Sequence, residues 1–225
     1  MLLEICTPSL ESVTAAVSGG ADRIELCEQL EVGGVTPRLS LVEQVLKSYT
    51  TNTQVLIRPR GGDFVFTAEE IQQMTSSVEA VRALGVQGVV IGALTANGNL
   101  DIPSLKTLVK AAGDLELTFH KAIDAMKDPE SAIDTLISLG FTRILTSAGA
   151  NTALAGLEKL RAWQSRYGNK ITIMPGGSIR PENINAMLSC GFGAIHSAAI
   201  KKGESHSDEN TVKALARALQ DQRKG

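Results

Sequence analysis

Short apolar runs alternate with longer amphipathic stretches along the whole chain. Runs of this length, rich in branched residues, predict buried strands over Leu2–Cys6, Arg23–Cys27, Gln54–Pro59, Gln87–Gly92, Leu115–His120, Arg143–Ser147, Ile171–Pro175 and Ala194–Ser197. The stretches between them predict helices over Leu10–Ser18, Leu39–Ser48, Ala68–Leu84, Ile102–Ala112, Pro129–Leu139, Thr152–Arg166, Pro181–Ser189 and Glu209–Gln222. Start signals agree with these positions. Thr67-Ala68-Glu69-Glu70 reads as a capping box, Asp128-Pro129 and Arg180-Pro181 place proline at the first helical position, and Asp208 is a plausible N-cap.

A weak repeat supports the alternation. Ser18-Gly19-Gly20, Leu84-Gly85, Leu139-Gly140 and Cys190-Gly191 each end a helix with glycine and lead almost at once into a strand, as left-handed C-caps do. Strands alternating with helices, with no linker rich in proline or serine, predict one closed (β/α)8 TIM barrel spanning residues 1–225. An open doubly wound sheet is the alternative. The Gly-x-Gly-x-x-Gly turn that would favour it is absent after the first strand.

Period-two alternation then sorts each strand into an outer and an inner face. Leu3 and Ile5 face the helices, which leaves Glu4 and Cys6 inward. Ile24 and Leu26 face outward, which leaves Glu25 and Cys27 inward. The same parity puts Arg58 inward, expected beside Glu25, together with Thr118, His120 and His196. Barrel interiors are normally filled by branched apolar side chains, so these charges must be paired or must serve a ligand. A structural ion cluster, with Arg58 neutralising Glu25 and Glu4, is the plain alternative to a functional site. Arg60 shares the parity of Arg58 nearer the mouth, and is the better candidate for meeting a ligand.

Composition narrows the partners. At 225 residues, 43% hydrophobic and 20% charged, the chain can bury a full core. A net charge of −2 gives no reason to expect nucleic acid or a membrane surface. Met1-Leu2-Leu3-Glu4-Ile5-Cys6 is too short and too acidic for a signal peptide, and no apolar run is long enough to span a bilayer. Three cysteines without C-x-x-C spacing fit a reducing cytosol and disfavour structural zinc.

Several stretches taken together resemble the CutC family of copper-homeostasis proteins: Glu4-Ile5-Cys6, Gly20 to Cys27, Gly33-Gly34-Val35-Thr36-Pro37, Ile57 to Phe64, Thr118-Phe119-His120, Leu145-Thr146-Ser147 and His196-Ser197. The resemblance covers most of the chain. It implies a TIM barrel, a cytoplasmic location, a role in handling copper and a small homo-oligomer. Departures are Lys121 and Ile123, where arginine and phenylalanine are usual, Ser178 where a third glycine often stands, and a short segment over Ala198–Asp208.

Two chemistries follow. Copper(I) prefers soft thiolate ligands with imidazole as a supplement. The resemblance ties metal binding to cysteines, and Cys6 and Cys27 are the matching positions, with His120 or His196 available to add nitrogen. Packing is the competing reading for both cysteines, since free cysteine is among the most buried residue types. Cys190, near a helix end, reads as packing or surface. The second chemistry is an isomerase, epimerase or lyase acting on a small anionic or phosphorylated substrate. Glu4 or Glu25 would be the base and His120 the acid or electrophile. Arg58, Arg60, Gly176, Gly177, His196 and Ser197 would bind the substrate, the glycine turn after strand seven being a common phosphate cradle. Lys121 points outward by parity and is read as a solvated side chain. His206 lies in a polar loop, Trp163 and Tyr167 read as packing, and no nucleotide or organic cofactor is indicated. A non-catalytic metal buffer or scaffold is the third reading.

Overall fold

The computed structural model describes residues 1–222. Its strands are β1 (Leu2–Thr7), β2 (Arg23–Leu26), β3 (Asn52–Leu56), β4 (Gly88–Ile91), β5 (Glu116–Phe119), β6 (Arg143–Thr146), β7 (Thr172–Pro175) and β8 (Ala194–Ser197). All pair in parallel in the order β7-β6-β5-β4-β3-β2-β1-β8. The ends of that sheet, β7 and β8, lie side by side, so the barrel is nearly closed. The helices are α1 (Leu10–Gly19), α2 (Leu39–Ser48), α3 (Ala68–Leu84), α4 (Ile102–Ala112), α5 (Pro129–Ser138), α6 (Leu157–Tyr167), α7 (Asn185–Leu188) and α8 (Glu209–Gln222), with short 3-10 helices at Leu30–Val32 and Lys121–Ala125. The fold is the expected (β/α)8 TIM barrel.

All but one of the predicted helix-start signals act where they were placed. Thr67 accepts from the Glu70 N–H at 3.2 Å while the Glu70 carboxylate accepts from the Thr67 N–H at 2.9 Å, closing the capping box. Asp128 caps α5 ahead of Pro129, and Asp208 accepts from the Thr211 N–H at 2.8 Å at the start of α8. Gly20 ends α1 at φ 89°, a left-handed cap open to glycine at little cost. The outward strand residues Leu3, Ile5, Ile24 and Val55 pack with Trp163, Tyr167 and the helix faces in one continuous core. Each such side chain contributes about 1.5–3 kcal/mol by leaving water.

Several boundaries differ from the sequence pattern by one or two residues, and the three larger differences lie at the C-terminal end of the barrel. β3 stops at Leu56 instead of Pro59, because the Arg58 N–H and C=O pair with Thr36 in the loop after β2. α6 begins at Leu157 rather than Thr152. The preceding turns are pinned by the Ala153 N–H donating to Gly177 O at 2.9 Å, which ties the loop after β6 to the end of β7. Pro181 does not open a helix. The Asn183 side chain accepts from the Arg180 N–H at 2.9 Å and donates to Ser178 O at 2.8 Å, folding residues 178–183 into turns before α7. No helix among the described residues is long and apolar enough to cross a membrane.

Candidate functional site

The Glu-x-Cys pairs of β1 and β2 are staggered. Glu4 stands opposite Arg23, and Cys6 opposite Glu25. The lower layer is therefore an ion network. Arg23 donates to Glu4 at 2.5 Å and to Glu116 at 2.9 Å, and Arg143 reaches Glu116 at 3.5 Å. Glu4 also meets His196 Nδ1 at 2.7 Å. Burial opposes the charge on Glu4, but Arg23 and His196 outweigh it and hold the carboxyl at about 2. Burial likewise opposes the charge on His196, yet its bond to Glu4 and the nearby Glu25 raise its pKa above the ordinary value. The counter-ion of Glu4 is thus Arg23, which shares the inward parity of Glu25, and not Arg58 as expected. Glu4 is sealed at the floor, away from the mouth cavity, so its candidacy as a base loses its geometry.

Above this floor opens a cavity of about 260 Å³. Its β1–β2 side carries Cys6, Cys27 and Glu25. The two sulfurs lie 3.3 Å apart, and Cys6 Sγ lies 3.8 Å from Glu25 Oε1. Ligand atoms of Cys6, Glu25 and His196 fall within 4.8 Å of one another. The bond shared with Cys27, followed by burial, holds the Cys6 thiol well above its usual range. Burial pushes Glu25 up to about 7, with His196 opposing and Glu4 adding to the rise. Burial thus favours the neutral forms of Cys6 and Glu25, and the wall is a small soft site beside a poised carboxyl.

The opposite side, from β3, β5 and β7, is a wall of donors. His120 Nδ1 accepts from the Ala122 N–H at 3.2 Å. The ring proton therefore sits on Nε2, which has no hydrogen-bond partner among the described residues although the residue is buried. Burial and the neighbouring Arg58 bring the His120 pKa down to about 3, so the ring is neutral. Phe64 lies between these two groups, with its ring 4.9 Å from that of His120 and 4.7 Å from the Arg58 guanidinium carbon. Lys121 also lines the cavity, bonded to Ser147 Oγ at 2.8 Å and Asp124 at 2.9 Å. The outward reading of Lys121 is corrected. β5 ends at Phe119, a 3-10 turn follows, and strand parity stops applying. Arg180, marked in the sequence only as the residue before a helix-starting proline, donates to Ile179 O and Ile200 O and approaches Ser197 Oγ at 3.4 Å.

The remaining predicted site residues divide. Arg58 lines the cavity, but its terminal nitrogens donate to the carbonyls of Val32, Gly34 and Gly62 at 3.1, 3.1 and 2.6 Å. Arg60 is outside it, bound to Glu70 at 2.6 Å, to Asp63 at 3.0 Å and to Val65 O. Gly177, at φ 113°, lines the cavity and Gly176 does not. A Cβ at Gly177 would come within 3.7 Å of Lys121 Nζ. Ser197 also lines it, with its hydroxyl engaged by Ile179 O and the Ala199 N–H. A surface cleft of about 1000 Å³ adjoins the mouth through Leu30, Arg180 and Ala198. Outside the mouth, Cys190 contacts Arg161 on the surface, His206 lies 3.5 Å from Glu11, and Trp163 and Tyr167 are core residues.

A profile of the CutC family matches residues 1–201. The chain belongs to the CutC family. CutC relatives include the protein of Agrobacterium fabrum, 45% identical over 84% of this chain and 74% of its own. The protein of Glaesserella parasuis is 38% identical over 98% of this chain and 91% of its own. The crystal structure of CutC from Streptococcus agalactiae, described as a candidate copper homeostasis protein, superposes with a TM-score of 0.83 at 32% identity. It covers 88% of this chain and 98% of that one. Phosphoribosyl anthranilate isomerase from Thermus thermophilus, at 13% identity and a TM-score of 0.62, shares the fold alone with this CutC chain.

Proposed function

We propose that this CutC chain handles copper in the cytosol, binding copper(I) as cargo at the C-terminal mouth of the barrel through Cys6 and Cys27. One observation carries the reading: the two sulfurs lie 3.3 Å apart and line an open cavity. Two thiols are a soft donor pair suited to copper(I), and His196 and Glu25 stand close enough to complete or adjust the set. The raised Cys6 pKa sets the chemistry of loading. The Cys6 thiol, held protonated, must release its proton as the metal enters, so affinity rises with pH. The family membership and the description of the Streptococcus agalactiae protein support the same cargo.

Anaerobic titration of the reduced protein with copper(I), against a competing chelator, tests this. Cys6→Ser and Cys27→Ser are each expected to weaken binding by roughly a hundredfold or more. Stoichiometry and affinity unchanged in both variants would overturn it.

A second reading is supported by a separate observation. Glu25 Oε2 and His120 Nε2 both lack a hydrogen-bond partner among the described residues, and both residues line the cavity. An acceptor on one wall of a cavity and a neutral donor on the opposite wall are what an isomerase, epimerase or lyase needs for proton transfer on a small anionic substrate held between them.

A further inference from the structure

The cavity is chemically one-sided. From β3 round to β7 its lining residues carry donor groups: Arg58, His120, Lys121 and Arg180. Two of these, Arg58 Nε and His120 Nε2, are buried without a hydrogen-bond partner among the described residues. A buried N–H left unpaired costs about 1–3 kcal/mol, so two of them along one cavity mark a position where a ligand supplies acceptors. His120 cannot turn into an acceptor by changing tautomer. Its Nδ1 is already held by the Ala122 N–H, which fixes the proton on Nε2.

We propose that this donor wall binds a small organic anion that carries a carbonyl oxygen. The carbonyl accepts from His120 Nε2, and the anionic group lies toward Lys121, Gly177 and Arg180. The inference rests on the second reading above, that a small anion occupies the mouth, and adds the group that the protein recognises. A carbonyl is favoured over a hydroxyl because its oxygen only accepts, whereas a hydroxyl proton would face further N–H groups. The anionic end follows from the two cations and from Gly177. The absence of a side chain there leaves open the approach to Lys121 Nζ, which a Cβ would narrow to 3.7 Å. At about 260 Å³ the cavity is smaller than ordinary ligand pockets, which restricts the molecule to a few carbon atoms. The adjoining surface cleft gives it a route past Arg180.

Phosphate and carboxylate both meet this description, and the test separates them. Reduced, metal-free protein labelled with 15N at histidine is titrated with dihydroxyacetone phosphate and with pyruvate. Inorganic phosphate and acetate are the matched anions without the carbonyl. The expected result is that at least one carbonyl compound binds about tenfold tighter than its matched anion and shifts the His120 Nε2–H resonance, while Nδ1 stays unprotonated. The arm that binds identifies the anionic group. His120→Gln, checked for folding by its amide spectrum, is expected to abolish the advantage of the carbonyl. Anions that bind equally with and without the carbonyl, leaving the His120 resonance in place, overturn this inference and spare the small-anion reading. No binding by any of the four overturns both.

Discussion

At the floor of the barrel Arg23 lies between Glu4 and Glu116, and Glu4 lies between Arg23 and His196. One layer up, Glu25 and His120 are almost as deeply buried, yet each keeps a polar atom without a hydrogen-bond partner among the described residues. The two layers draw on the same residue types and use them differently. The floor neutralises its charges internally, so its carboxylate stays ionised down to about pH 2. At the mouth burial favours the neutral forms of two groups, raising Glu25 to about 7 and lowering His120 to about 3. Pairing of every floor charge suits a structural role, although Arg143 Nε is left without a hydrogen-bond partner among the described residues. Incomplete pairing costs stability and is retained where a ligand restores it.

The largest expected effect comes from breaking the floor. Arg23→Met leaves the Glu4 charge buried beside His196 alone, and should destabilise the fold by about 3–5 kcal/mol in urea unfolding. Adding Glu4→Met removes the stranded charge and should recover part of that loss. A double variant no more stable than Arg23→Met would mean that the floor is not held by this pair.

The same contrast explains what the sequence made visible. Eight alternations of apolar run and amphipathic stretch announce the barrel, because strands covered by helices need near-continuous apolar residues. Parity placed Glu4, Cys6, Glu25 and Thr118 inward correctly because they lie within strands. It failed for Arg60 and Lys121, which follow the ends of β3 and β5, where the backbone turns and alternation has no meaning. Arg23 was within reach of the same rule, two residues before Glu25. The stagger that pairs it with Glu4 was not, since that offset is set by closure of the barrel. The only local signal at Arg180, the proline that follows it, points to a helix start and not to the mouth. Arg180 reaches the mouth only because Asn183 folds the turn after β7.

Acid should separate the two layers next. His120 has a folded pKa of about 3 against an ordinary 6.5. Between those values the unfolded chain holds a proton that the folded chain excludes, so stability falls as pH drops from 6.5 toward 3. Glu4 adds an acid loss only below about 4.5, as pH falls toward 2. Glu25 and His196 act in the opposite sense. Their raised values favour the folded state at low pH, and that contribution is lost as pH rises through the folded pKa, about 7 for Glu25. Comparing wild type with His120→Gln isolates the histidine. Their stability difference should change by on the order of 3 kcal/mol between pH 7 and pH 3. Parallel pH profiles for the two proteins would show that His120 is not held neutral by its surroundings.

The smallest effects distinguish two arginines that the sequence presents as a pair. Arg58 donates to three carbonyls that fix the loops over Val32–Gly34 and Gly62 around the cavity, and its guanidinium stacks on Phe64. Arg58→Met removes these charge-assisted bonds and should cost about 2 kcal/mol, while loosening the loop beside Cys27 and weakening copper(I) binding. Arg60 braces the capping box of α3 through Glu70, with Asp63 exposed beside it. Exposed pairs of this kind contribute little, because water solvates the separated charges nearly as well. Arg60→Met should therefore leave the melting temperature nearly unchanged, and copper(I) affinity with it. If Arg60→Met weakened ligand binding while Arg58→Met did not, the boundary drawn here between the mouth and its outer rim would be in the wrong place.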